Sequence, residues 1–262
     1  MIDFTITVYR QLLKSLLQHG YSFVRLDDFI LNGCHSKTII LRHDVDLLPA
    51  NSLCTAELES LLGIHGVYYF RAVPESWDKT VILKIAALGH EVGYHYESLT
   101  TCKGNIDSAY TDFCRNLNRL RNIVEVKTIC MHGSPRSPYD SKDIWKKYSY
   151  RDLGIIGEPY FDVDFGSTFY LTDTGRRWDG YKVSVRDRIE DYQEQWIKEG
   201  LVFHSTSDIM RAVKENRLPD RIMITVHPQR WNPFGYKWTK ELFLQNAKNI
   251  VKGLLLMSKT QF

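Results

Sequence analysis

The sequence predicts an α/β fold, with parallel strands enclosed by helices at a length that suits a single barrel. Three observations carry this. Short β-branched runs alternate with longer segments of helical periodicity, and that alternation belongs to parallel sheets with helices outside. Residues capable of chemistry gather where the apolar runs stop, as they do at the C-terminal strand ends of such folds. The 262 residues, with no internal repeat, low-complexity stretch or Pro/Gly linker, fit one domain over residues 1–262.

The first element is a helix. In "MIDFTITVYRQLLKSLLQHG", Phe4, Val8, Leu12 and Leu16 recur at helical spacing, while Asp3, Arg10 and Lys14 interrupt the apolar character. An amphipathic helix fits this better than a signal peptide or a membrane span. Six strands are then expected, in order, at "KTIILR", "VYYFRA", "EVGYHY", "KTICMH", "TFYLTD" and "RIMITVH". Amphipathic stretches lie between several of them: "ANSLCTAELESLLG", "KTVILKIAALG" and "AYTDFCRNLNRLRNI". Gly63 and Gly89 each stand just past a helical pattern, where a left-handed C-cap is wanted.

A hydrophobic fraction of 44% and a charged fraction of 25% are those of an ordinary soluble protein. The net charge of +3, without a clustered basic patch, gives no reason to expect a nucleic-acid or membrane partner. A small-molecule or oligosaccharide substrate is the expected partner. Five scattered cysteines, none in a CxxC spacing, argue against a disulfide framework and a cysteine zinc site, so a reducing cytoplasm is the simplest setting.

The strand ends hold the chemistry. "LRHDVD" closes the first predicted strand with two carboxylates, Asp44 and Asp46, which share a face at i and i+2 and need a cation nearby to be tolerated together. Arg42 would share that face and offset their charge, or form a salt bridge at the core edge. In "GHEVGYHYESL", His95 and Glu97 share a face, so His95 is the better ligand, Glu97 a ligand or a partner of one, and His90 a packing residue. His132 ends its strand ahead of Gly and Pro, either as a ligand or as a loop histidine. Asp173 and Trp178 in "YLTDTGRRW" belong to a capped turn or a binding rim. His227 ends the last strand, where an imidazole can act as general acid. Arg230 and Trp231 beyond it are a surface cation on a ring or a sugar-binding wall. Imidazoles and carboxylates converging at strand ends suit a divalent ion such as zinc, which needs three protein ligands and an open position to activate water.

These motifs resemble the polysaccharide deacetylases with NodB homology, carbohydrate esterase family four. "RHDVD" looks like the divergent form of the family's first motif, and "GHEVGYH" is close to its Gly-His-Glu-Ile-Gly-Asn-His. "TVH" resembles the closing Leu-x-His motif, and "LTDTGRRW" has the Asp-to-Trp spacing of the fourth. The resemblance spans Thr38 to Trp231 in the family's motif order. It implies a distorted (β/α) barrel of about seven strands and a divalent metal, zinc being the expected ion, that serves to remove acetyl groups from N-acetylated sugars. It casts Asp44 as base, Asp46 and His95 as metal ligands, and His227 as general acid. The family's second metal histidine falls at Leu99, and His132 is the favoured replacement ahead of Glu97. "HGSPRSP" places Arg136 near the family's third motif, among the expected substrate-binding residues with Asp173, Trp178 and Trp231.

The expected function is therefore metal-dependent deacetylation of a sugar or sugar precursor, in a cytoplasmic member of the kind that acts on O-antigen or capsule precursors. The alternatives are a sugar-binding module that has lost catalysis, and a barrel hydrolase acting on a non-sugar amide.

Overall fold

The computed structural model describes residues 2–33, 36–134, 137–179 and 188–259. Among these, seven strands form one parallel sheet: β1 (Ser22–Val24), β2 (Thr38–Val45), β3 (Val67–Phe70), β4 (Glu91–Tyr96), β5 (Ile129–Met131), β6 (Phe169–Thr172) and β7 (Arg221–Val226). The order is β5-β4-β3-β2-β7-β6, and β1 adds to β2. With β7 paired along one edge of β2, its other edge is shared: β1 takes Thr38 to Ile40 and β3 takes Arg42 to Val45. The sheet curls into a half-barrel surrounded by helices, with β5 and β6 at its two ends.

All six expected strands are present. β1 escaped the sequence pattern because three residues are too few to show alternation. Every residue of β2, β3 and β4 is buried, as befits parallel strands covered on both faces.

The helices are α1 (Ile6–Gln18), α2 (Leu26–Asn32), α3 (Pro49–Leu61), α4 (Lys79–Ala87), α5 (Ser98–Thr101), α6 (Ile106–Arg121), α7 (Pro159–Asp162), α8 (Glu190–Lys198), α9 (Thr206–Lys214) and α10 (Tyr236–Lys259). Side-chain oxygens cap several of them: Thr5 accepts from the Val8 amide, Asp78 from Val81 and Asn105 from Ser108, and Ser205 with Asp208 closes a capping box. Gly63 and Gly89 follow α3 and α4 at φ +72° and +89°, the left-handed geometry their positions implied.

Two apolar clusters fill the interior. One packs α1 and α9 on β2 and β7 through Leu12, Leu16, Ile39, Ile209 and Ile224. The other packs α4 and α6 on β3 to β5 through Ile82, Ile85, Phe113, Leu117 and Ile129. Gly93 in β4 is required by close approach, since a Cβ there would lie 2.3 Å from the buried Tyr69 ring and 2.8 Å from the Thr128 carbonyl.

Register brings the chemistry together. Asp44 pairs with Tyr69, Tyr69 with Gly93, and His95 with Cys130, so β2 and β4 end on either side of β3, with β5 next to β4. The His132 amide extends this by donating to the Tyr96 carbonyl at 2.8 Å. On the other flank, His43 pairs with Val226, and His227 follows at once.

Candidate metal centre

Asp46 lies one residue past β2, where its amide donates to the Asp44 carbonyl at 3.1 Å and bends the chain. Its Oδ1 is shut off from solvent and has no hydrogen-bond partner. Facing that oxygen are His132 Nε2 at 3.4 Å and His95 Nε2 at 3.8 Å. A carboxylate oxygen and imidazole lone pairs at that spacing gain nothing from one another. Ligands held about 2.0–2.1 Å from a tetrahedral ion stand roughly 3.3–3.4 Å apart, a spacing that Asp46 and His132 match and Asp46 and His95 approach, and all three ligand atoms lie within 4.8 Å of one another.

The far side of each imidazole fixes what it offers. His95 Nδ1 lies 2.9 Å from the Cys130 carbonyl, which can only accept, so Nδ1 carries the proton and Nε2 the lone pair. His132 Nδ1 donates to Glu97 at 3.0 Å, and Glu97 is in turn gripped by Arg71 at 2.7 Å. Arg71 also donates to the Asp46 carbonyl at 3.2 Å, tying the ends of β2, β3 and β4 together. Imidazoles oriented from behind by a carbonyl and a carboxylate are the usual support of metal ligands.

Electrostatics agree with this geometry. Burial, then the neighbouring His132, hold His95 well below the usual imidazole range, which leaves it neutral and able to ligate. Burial pushes the Asp46 carboxyl up, but His132, His227 and His95 outweigh it and keep Asp46 below the usual carboxylate range. Burial likewise raises Glu97, yet His132 and Arg71 bring it down to about 2.

Among the described residues, a second group able to converge on an ion is Asp44, His95 and Cys130. It fits less well. Both Asp44 oxygens are occupied by the buried Arg42 guanidinium, Nε to Oδ1 at 2.8 Å and Nη2 to Oδ2 at 2.7 Å, and that fixed charge would oppose a cation. Asp44 nonetheless stands at the site, its Oδ2 3.6 Å from His95 Nε2.

His227 approaches from the opposite side and faces the other Asp46 oxygen, its Nε2 3.9 Å from Oδ2. Gln229 donates to the same oxygen at 3.5 Å, a residue the sequence offered no signal for. Asp173 organises this flank. It accepts the His227 amide at 3.0 Å, His227 Nδ1 at 2.6 Å, Arg230 Nη1 at 2.6 Å and the Trp231 indole at 2.7 Å. Burial raises its pKa, but Arg230 and His227 hold it at about 2. Burial and Arg230 lower His227 while Asp173 and Asp46 raise it, and the balance lies above the ordinary imidazole value.

Three of the residues expected to bind substrate therefore need correction. Asp173 is fully buried and committed to His227, Arg230 and Trp231. Trp178 and Trp231 pack in the core with Phe4, at ring separations of 5.0 to 6.1 Å, and the Trp178 indole donates to Thr206. Neither indole presents a face to a ligand. Arg230 is buried on Asp173 rather than stacked at the surface. Arg136 lies outside the described residues. His90 bonds the Gly66 amide and the Ala56 carbonyl, away from the centre, and Leu99 is buried in the core on α5.

Two expected outcomes follow. Glu97→Gln, which weakens the charge behind His132, lowers divalent-metal affinity about 10–100-fold in a calorimetric titration, with the fold intact. Unchanged affinity would remove Glu97 from the support of the site. Asp173 has a folded pKa below its unfolded one, so its stabilisation is present above about pH 4 and lost as pH falls through about 2. Asp173→Asn strands the buried Arg230 charge and costs on the order of 3–5 kcal/mol near pH 7. Denaturant melts of both proteins should show that gap narrowing in acid; a gap independent of pH would contradict the charge argument.

No family model matches the sequence, and no curated protein does. Among solved structures, the chain is similar to a mutant of BA3943, described as a CE4 family pseudoenzyme, with a TM-score of 0.40 and 13% identity over 84% of this chain. The match covers 64% of that protein, so this chain spans less than two-thirds of its length.

Proposed function

We propose that the protein is a metal-dependent hydrolase that removes an acetyl group from an N-acetylated sugar or sugar precursor. The observation that carries this reading is the buried, unpartnered Oδ1 of Asp46, faced by the Nε2 atoms of His95 and His132. These three residues would hold the ion, which supplies Lewis-acid polarisation of an acyl carbonyl and of water. Asp44, fixed in orientation by Arg42, keeps lone pairs on both oxygens and accepts the proton of the attacking water. His227, its Nδ1 anchored on Asp173, protonates the departing amine through Nε2. The sugar in this reading rests on the resemblance of "RHDVD" and "GHEVGYH" to the deacetylase motifs.

A second reading, a sugar-binding module without catalysis, is favoured by Leu99 standing where the resembled family carries a metal histidine. Acetate release from a panel of N-acetylated sugars and nucleotide sugars separates the two. The hydrolase releases acetate after zinc loading and stops when a chelator is added. A zinc-loaded protein that binds members of the panel and hydrolyses none of them belongs to the second reading.

A further inference from the structure

Over residues 236–249, helix α10 exposes large apolar side chains that a surface helix normally buries. Two polar side chains meet the protein: Gln245 is buried and donates to Asn249, and Asn249 donates to the Gly175 carbonyl, in the loop that follows β6. Trp238 adds an anchor by donating to the Asp3 carbonyl and covering the Arg176 guanidinium. The opposite side carries Tyr236, Phe243 and Leu244, exposed by 80%, 70% and 48%. A soluble helix normally does the reverse.

Lysines share that outer face. Lys237, Lys240 and Lys248 are exposed and recur with Tyr236, Phe243 and Leu244 at the three- and four-residue spacings of one helical stripe. Phe234 continues the apolar surface just before the helix. Over its length α10 has five lysines against one glutamate, Glu241, which is half-buried and placed among Arg176, Arg230 and Lys248. An exposed apolar and aromatic stripe flanked by lysines in excess of acidic residues is the composition that lies in the interface of an anionic bilayer.

We propose that α10 docks the protein peripherally on an anionic membrane surface, its aromatic stripe entering the headgroup region and its lysines meeting lipid phosphates. The charge pattern selects this occupant over a second copy of the chain. A two-fold dimer through this face would bring two copies of the same lysine-bearing surface together, with like charge on both sides. Because α10 is pinned to the loop after β6, docking holds the same end of the sheet that carries Asp46 and His227 near the bilayer. The proposal does not depend on the hydrolase reading.

The test is co-sedimentation of the full chain with vesicles of phosphatidylcholine alone or mixed with phosphatidylglycerol. Binding is expected to the mixed vesicles only, and to weaken in high salt. Each lysine near the surface contributes about fivefold to partitioning, so Lys237→Gln/Lys240→Gln/Lys248→Gln lowers it on the order of 100-fold. Phe243→Ser/Leu244→Ser lowers it at least about tenfold. Circular dichroism should show both variants folded, because the changed side chains are exposed. The composition and salt comparison on the unaltered protein stands whatever the variants do. Absence of binding to mixed vesicles at low salt, or equal binding to both vesicle types, overturns the proposal. So does a concentration-dependent dimer dissolved by Phe243→Ser/Leu244→Ser, which assigns the face to a second copy.

Discussion

His95→Ala is expected to abolish stoichiometric zinc binding while the chain remains folded. Three protein ligands are the minimum for a site that keeps a position open for substrate or water, and His95 contributes the most buried of them. Alanine removes its lone pair and leaves Asp46 and His132 alone at 3.4 Å. The imidazole stands among Tyr69, His132 and Asp44, so its loss also opens a cavity in a packed region, and some stability is lost with it. Calorimetric titration combined with circular dichroism distinguishes the two effects. A folded variant that still binds one ion per chain would remove His95 from the centre.

In the deacetylase reading, Asp44→Asn is expected to slow acetate release by about 10²–10⁴-fold and to leave metal binding intact, the magnitude that follows when a general base is lost. The separation is expected because Asp44 and Asp46 stand in different environments on one face of the chain. Asp46 offers an unpartnered oxygen, whereas Asp44 has both oxygens on Arg42. The amide keeps the shape but weakens the pairing with a buried guanidinium, so a fall in stability of about 3–5 kcal/mol accompanies the change, and rates must be compared below the variant's melting transition. Loss of the metal along with activity would exchange the roles of the two aspartates.

Much of the arrangement was legible in the sequence because a parallel sheet gathers strand ends by construction. Asp44, Asp46, His95, His132 and His227 could be placed at one end of the sheet from the points where apolar runs stop. The i and i+2 spacing of the two aspartates put both beside His95, at 3.6 and 3.8 Å. Pattern alone could not say which polar residues face outward. Trp231 follows His227 through the short 3₁₀ turn Pro228–Arg230, and that turn carries the indole inward onto Asp173. A strand-end rule cannot register such a reversal. Arg71 and Gln229 were invisible for a related reason. Their roles depend on reaching across to Glu97 and Asp46, residues 26 and 183 positions away, where sequence spacing carries no information. The buried cluster in which Glu59 accepts from Tyr9 and Tyr68 and meets His43 is equally a product of packing across α1, α3, β2 and β3.

The central claim is that Asp46, His95 and His132 together hold one divalent ion. X-ray absorption at the zinc edge of the zinc-loaded protein tests it most directly. The account predicts a shell of nitrogen and oxygen scatterers at about 2.0–2.1 Å, with the outer-shell signal of two imidazoles and no sulfur. A sulfur scatterer at about 2.3 Å would place the ion on Cys130 with Asp44 and His95 instead, and would contradict the assignment.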